Sequence, residues 1–391
     1  MFRASDGNRR RTLGDKMGFS ARHIGGAPHT DWQCPTCRLA ARARDGLLAL
    51  PNNPLIVTAV QAICAGGIDA ELNEAGWRRD RAGAPTFEFW SGSGGRIKVS
   101  VAREAEEAWA DIASFSTLTL DCAVAVLACL ASDPFRAASA APRCEPVWLG
   151  APALLAVKGY KRFGAERAAF ADAIDAELER LMRLRFEIIA YPGFDPAARK
   201  WSKAGISRAG LSLFEEAAEA TLRDRHDCHR GRPLRFGAWA QHWLNAGGAM
   251  WVSPLSEAVL QLDHRNNRGA DALAKKVAVL LSLNWGAARK NSELRIDIRT
   301  LLRRVGELRR PGATPLAHAG RIADRLEEAL LRLSETGILP NRLLSDEAMV
   351  MRAGGRRWFE SWCEAQIAFS RPAFLDPRGR LEADASPAND P

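Results

Sequence analysis

A mainly α-helical fold with small β-hairpins is what this sequence predicts, on three observations. Apolar residues recur at helical spacing along three long segments. Short runs that alternate with period two follow these segments. The same order of pieces occurs twice, from Leu118 to Ile189 and from Ala270 to Phe369.

The first copy opens at Thr117-Leu-Thr-Leu-Asp, with Thr119 or Asp121 as the expected cap. Val124, Leu127, Ala128 and Leu130 make this helix apolar nearly all round, which predicts burial. Pro134 ends it, and a short helix is expected around Ala153–Val157. After a turn at Lys158–Gly164, a long helix spans about Ala165–Leu184, with Phe170, Ile174, Leu178, Leu181 and Leu184 on one face. Arg185–Tyr191 reads as a strand, and Asp195–Lys203 as the tip of a wing. In the second copy, Leu273, Val277, Leu280, Leu281 and Asn284 mark a helix over Ala270–Ala287. Glu293–Ile298 reads as a strand and Arg299–Leu308 as a helix. Ile322, Leu326, Ala329, Leu330 and Leu333 mark a long helix over Pro315–Glu335, closed by Gly337. Each copy resembles a winged-helix unit, so the expected fold class is two winged-helix domains in tandem.

This gives a domain plan. Residues 1–30 are polar and basic and read as a disordered tail. Residues 31–114 form an N-terminal segment of uncertain fold, in which Thr86–Trp90 and Arg96–Val101 carry a hairpin signal. The first winged-helix domain covers 115–204, a connecting helical region 205–262, the second domain 263–375, and a loose tail 376–391.

Lys and Arg number 55 against 46 Asp and Glu, a net charge of +9, and the pI is about 9.4. That balance permits a polyanionic partner. Eight scattered cysteines point to a reducing compartment rather than a disulfide framework. No apolar run reaches the ~18 residues of a membrane span. The start of the chain lacks the apolar stretch of a signal peptide, so the expected location is the cytoplasm. No phosphate-binding GxxxxGK[ST] loop, GxSxG elbow or HExxH zinc motif occurs, so neither an enzyme nor a cofactor is expected. Cys34-Pro-Thr-Cys37 is one half of a zinc site, with His23 and His29 upstream, and His226-Asp-Cys-His229 is a distant second candidate. This spacing assigns no metal and leaves zinc at Cys34 and Cys37 open.

The basic residues cluster where a helix-turn-helix protein meets DNA. In the second copy His318, Arg321 and Arg325 lie off the apolar stripe, near the start of the long helix, where side chains reach base edges. Arg can bond guanine through two parallel contacts. Arg299, Arg303 and Arg304 precede the turn, Arg309 and Arg310 lie in it, and Arg352, Arg356 and Arg357 belong to the expected wing. In the first copy the long helix carries Asp172, Asp175 and Glu179, which would repel phosphate. Its basic residues sit in the turn (Lys158, Lys161, Arg162) and the wing (Arg199, Lys200, Lys203) instead. Phosphate contact by turn and wing follows, with the acidic face left for a protein surface.

Three segments resemble plasmid replication initiators built from two winged-helix domains: Leu118-Thr-Leu-Asp121, Gly159-Tyr-Lys-Arg-Phe-Gly164, and Asp263-His-Arg-Asn-Asn-Arg-Gly-Ala-Asp-Ala-Leu-Ala-Lys-Lys276. The likeness covers roughly residues 115–375, and residues 1–110 have no counterpart in it. It implies double-stranded DNA with repeated origin sites as the ligand, read by the second domain. It also implies a homodimer through the first winged-helix domain and host replication proteins as partners. A transcriptional regulator would share every DNA contact named above. A DNA strand-cleaving enzyme is a further alternative.

Overall fold

The structure, a computed structural model, describes residues 47–90, 95–131, 147–158, 164–195, 200–217, 231–244, 252–263, 265–266, 268–287, 293–310, 316–339 and 358–370.

The first strand, β1 (Leu47–Pro51), is followed by α1 (Pro54–Cys64). The Asn53 side chain caps α1 by accepting from the Ile56 amide at 3.1 Å, and Pro54 fits the first turn, where no backbone donor is needed. Next come β2 (Arg78–Arg79), β3 (Pro85–Trp90) and β4 (Arg96–Val101). β3 and β4 pair as the expected hairpin, with Phe87 opposite Val99. Ile97, Val99 and Val101 of β4 are buried, and the residues between them are half-exposed. Trp77 is fully buried beside Phe87 and Phe115, and its indole N–H donates to Ala62 O at 2.9 Å.

α2 (Ala105–Ala113) leads into α3 (Thr117–Leu130), which is buried along its whole length. Its cap is Ser116, one residue ahead of the expected start, and Thr119 closes the capping box by accepting from the Ser116 amide. After β5 (Val147–Leu149) and α4 (Ala151–Val157) comes α5 (Ala165–Arg183), whose buried Ile174, Leu178 and Leu181 match the helical stripe. The Thr119 hydroxyl donates to Glu177 at 2.7 Å and ties α3 to α5.

Two long strands follow, β6 (Leu184–Asp195) and β7 (Lys200–Ser212), then β8 (Phe214–Glu216), β9 (Arg232–Phe236), α6 (Ala240–Trp243), β10 (Val252–Ser256) and α7 (Ala258–Gln261). The last part holds α8 (Ala270–Ala287), β11 (Glu293–Asp297), α9 (Ile298–Arg304), α10 (Leu316–Glu335), α11 (Trp358–Glu364) and β12 (Gln366–Ser370). Gly337 has φ 69° just beyond α10, as a C-cap glycine requires. Asp297 caps α9 by accepting from the Thr300 amide at 2.7 Å.

These strands form four sheets among the described residues, and they overturn the expected fold class. The protein is a mixed α/β fold, not a mainly α chain of two winged-helix domains in tandem. The largest sheet is antiparallel in the order β2-β3-β4-β6-β7. It takes strands from both sides of the boundary drawn at residue 115. β5-β9-β8 form a second sheet, and β1 pairs with β10, with Leu47 opposite Ser256. Sequence reading missed most of this strand content because it lies in 200–256. There Lys200–Ser212 mixes Gly, Ala, Ser, Lys and Arg, and among its described side chains the buried apolar ones are Ile206 and Leu211. The segment read as a wing tip therefore runs on as a strand. A single core joins residues from Leu48 to Phe369.

No single helix among the described residues is long and apolar enough to cross a membrane.

Candidate nucleic-acid interface

α8 and α10 pack against each other, and the N-terminal half of α10 borders a cleft of about 820 Å³. The cleft wall is assembled from four places: the loop after α1, the α2–α3 junction, the entry to α8, and the loop after α9. That last loop is held at a fixed distance from the first. Glu74 N bonds Leu308 O at 2.9 Å, and Arg310 N bonds Leu72 O at 2.9 Å. Gly306 makes the close approach. Its φ is 72°, and a Cβ there would lie 2.3 Å from Cys64 O.

Six nitrogen bases line the cleft: Arg268, Lys276, Arg309, His318, Arg321 and Arg325. Their roles differ. Lys276 donates to Glu307 at 2.9 Å, and Arg325 pairs with the other oxygen of the same carboxylate. Arg325 also donates to Arg268 O at 3.1 Å. One anion thus serves two half-buried cations, leaving one positive charge in excess in the wall. Burial lowers the pKa of both cations. Arg309 pairs with Asp69 at 2.6 Å. Arg268 and Arg321 are exposed at the rim. His318, half-buried, feels all three neighbouring arginines. Its pKa is lowered first by burial, then by Arg309 and Arg321, with a smaller push from Arg268, while Asp69 pulls the other way.

No protein-family model matches this chain, and comparison with curated proteins and with solved structures gives no match. The arrangement of charges therefore carries the functional argument.

The structure brings together only part of the set expected from sequence. His318, Arg321 and Arg309 meet at the cleft, with the exposed Arg310 beside them. Arg299, Arg303 and Arg304 lie on α9. Arg303 is 4.0 Å from Glu74, and Arg304 is half-buried with its guanidinium 3.5 Å from Asn284 Oδ1. Two expectations are corrected. Arg325 faces inward to Glu307 and is not placed to read bases. Lys158 is buried against Asp121 and also donates to Leu260 O at 3.3 Å, so it is not placed to touch phosphate. Both look exposed in sequence because their partners are remote: Glu307 lies before the turn, and Asp121 lies in α3.

Lys200 and Lys203 belong to β7. Lys161, Arg162, Arg199, Arg352, Arg356 and Arg357 lie outside the described residues, as do Cys34, Cys37, His23, His29, His226, Cys228 and His229. On α5, Asp172 and Asp175 are exposed as expected, but Glu179 is engaged by Arg232 at 2.6 Å and Arg183 at 3.3 Å. Sequence reading passed over Arg268 and Lys276. The available signal was their position at the start of the α8 segment, inside the stretch 263–276.

Proposed function

We propose that this protein binds double-stranded DNA through the basic rim around the N-terminal half of α10. The observation that carries this reading is the convergence of Arg268, Arg309, His318 and Arg321 from three separate segments. Such clustering supplies the phosphate contacts that dominate DNA affinity, and the exposed Arg321 on a helix face is of the type that contacts base edges. Arg303 and Arg310 extend the positive surface along the neighbouring element.

The role we assign is initiation of replication on a plasmid or other mobile replicon, with repeated origin sites as the ligand. It rests on the resemblance of segments 118–121, 159–164 and 263–276 to plasmid replication initiators. Host replication proteins and a second copy of this chain are the partners of that role, the cytoplasm is its place, and it needs neither catalysis nor a cofactor. Footprinting on the native replicon tests it. Protection of iterated sites beside an AT-rich tract is the expected result. Protection of a single promoter site would replace the initiator with a regulator of transcription.

A further inference from the structure

The loop after α1 is pinned on both sides of one large side chain that it leaves outside. The Gly67 amide donates to Ile112 O at 2.8 Å, and Gly67 O accepts from the Ala70 amide at 3.0 Å. Gly66 lies directly on Phe115, since a Cβ there would come within 2.6 Å of that side chain. Asp69 is paired with Arg309. Between these anchors Ile68 is 85% exposed, whereas Trp90, the next most exposed large apolar residue described, reaches 59%. A single exposed aliphatic side chain is ordinary on a protein surface. This one is held out by a fixed backbone, and it lines the same cleft as Arg268, Arg309 and Arg321. The nearby apolar groups of the wall, Phe115 and Ile322, are buried, so Ile68 is a knob without an apolar patch around it. Docking of a folded protein uses contiguous apolar area. A knob ringed by cations fits a partner with anions outside and an apolar slot inside, and the step between two stacked base pairs is such a slot.

We propose that Ile68 is a wedge that enters one base-pair step of duplex DNA lying on the basic rim. This rests on the DNA-binding reading above and adds a mechanical consequence to it. The arginines hold the phosphates, and the aliphatic side chain replaces part of the stacking at the step it enters, which kinks the duplex. The pinned loop matters here. A mobile loop would swing aside, whereas this one turns phosphate-binding energy into unstacking. Pyrimidine–purine steps such as TA unstack most easily, so the wedge favours them and adds selectivity at a step where no hydrogen bond is made.

The test uses the full chain and an origin duplex with 2-aminopurine placed at successive steps, a base that brightens when it is unstacked. Anisotropy of the same duplex reports binding. The wild type should brighten one step and bend the duplex by about 20–90°, read by energy transfer between its ends. Ile68→Ala should abolish the brightening and lose most of the bend, with the salt dependence of binding unchanged because the phosphate contacts remain. Ile68→Met, still long and apolar, should keep both. Leu331→Ala, at an exposed apolar position of α10 beyond the cleft, should behave as the wild type. Binding with no brightening at any step, or equal brightening by the wild type and Ile68→Ala, overturns the wedge and leaves DNA binding standing. No binding at all overturns both. A fall in the sedimenting mass of the DNA-free protein on Ile68→Ala substitution would assign Ile68 to a contact between copies of this chain, and overturns the wedge as well.

Discussion

Lys275 and Asp121, 154 residues apart in sequence, form a fully buried ion pair in which Lys275 Nζ lies 2.6 Å from one carboxylate oxygen and 2.7 Å from the other. Lys158 shares the same carboxylate, and Lys275 also donates to Leu262 O at 2.9 Å. The three charged groups come from separate elements: Asp121 from α3, Lys158 from just beyond α4, and Lys275 from α8. The cluster locks α3, the end of α4 and α8 together.

Asp121→Asn should therefore destabilise the fold by about 3–5 kcal/mol, because two ammonium groups would stay buried with no counter-charge. Urea denaturation measures this. A loss below about 1 kcal/mol would mean that the cluster is open to water.

The same cluster sets a pH dependence. Burial lowers the Lys275 pKa to about 8, against an ordinary value of 10.5, although Asp121 opposes the shift. Between these values the unfolded chain binds more protons at this position than the folded one, so stability from Lys275 rises with pH across that window. Below about 8 both states are protonated and the slope vanishes. Lys275→Met should flatten the rise seen in denaturation curves recorded from pH ~8 to ~10. A rise of equal steepness in the variant would assign it to another group.

Gly306→Ala should cost more than about 1 kcal/mol, since it combines a positive φ with a Cβ forced against the Cys64 carbonyl. Gly320→Ala is the matched contrast. It lies within α10 with nothing within 4 Å of its added Cβ, and should stabilise by about 0.5–1 kcal/mol. Thermal melts of the two variants should move in opposite directions.

Anion binding at the cleft should take up a proton at His318. In the free protein, burial and then Arg309, Arg321 and Arg268 hold its pKa below the usual 6.5, with Asp69 opposing. A bound phosphate offsets those arginines and raises the pKa again. DNA affinity should rise as pH falls from about 7.5 to about 5.5, and His318→Gln should remove most of that rise. An equal rise in both proteins would place the titrating group elsewhere.

The secondary structure around α5, α8 and α10 was legible because each helix shows a buried stripe: Ile174, Leu178 and Leu181; Leu273, Val277, Leu280 and Leu281; Ile322, Leu326, Ala329, Leu330 and Leu333. The β3–β4 hairpin was legible because its alternation and its turn are local. The sheets were not, since their pairings join remote segments: β4 with β6 and β1 with β10. Helical periodicity says nothing about such partners, and the weak alternation of β7 hid a strand of 13 residues. At the cleft, His318 and Arg321 were found from their place off the apolar stripe. Arg325 fell into the same group because angular position on a helix does not show that Glu307 waits across the groove. Arg268 was missed because it precedes its helix rather than lying on it.

Fluorescence anisotropy of labelled origin DNA and of random DNA, at two salt concentrations, tests the DNA-binding claim most directly. Affinity should fall steeply with salt, and Arg321→Ala should reduce the preference for the origin sequence by about 1–3 kcal/mol. Arg268→Ala should weaken both DNAs alike and shallow the salt slope. Affinity that ignores salt, or that is equal for both DNAs and untouched by either substitution, would contradict it.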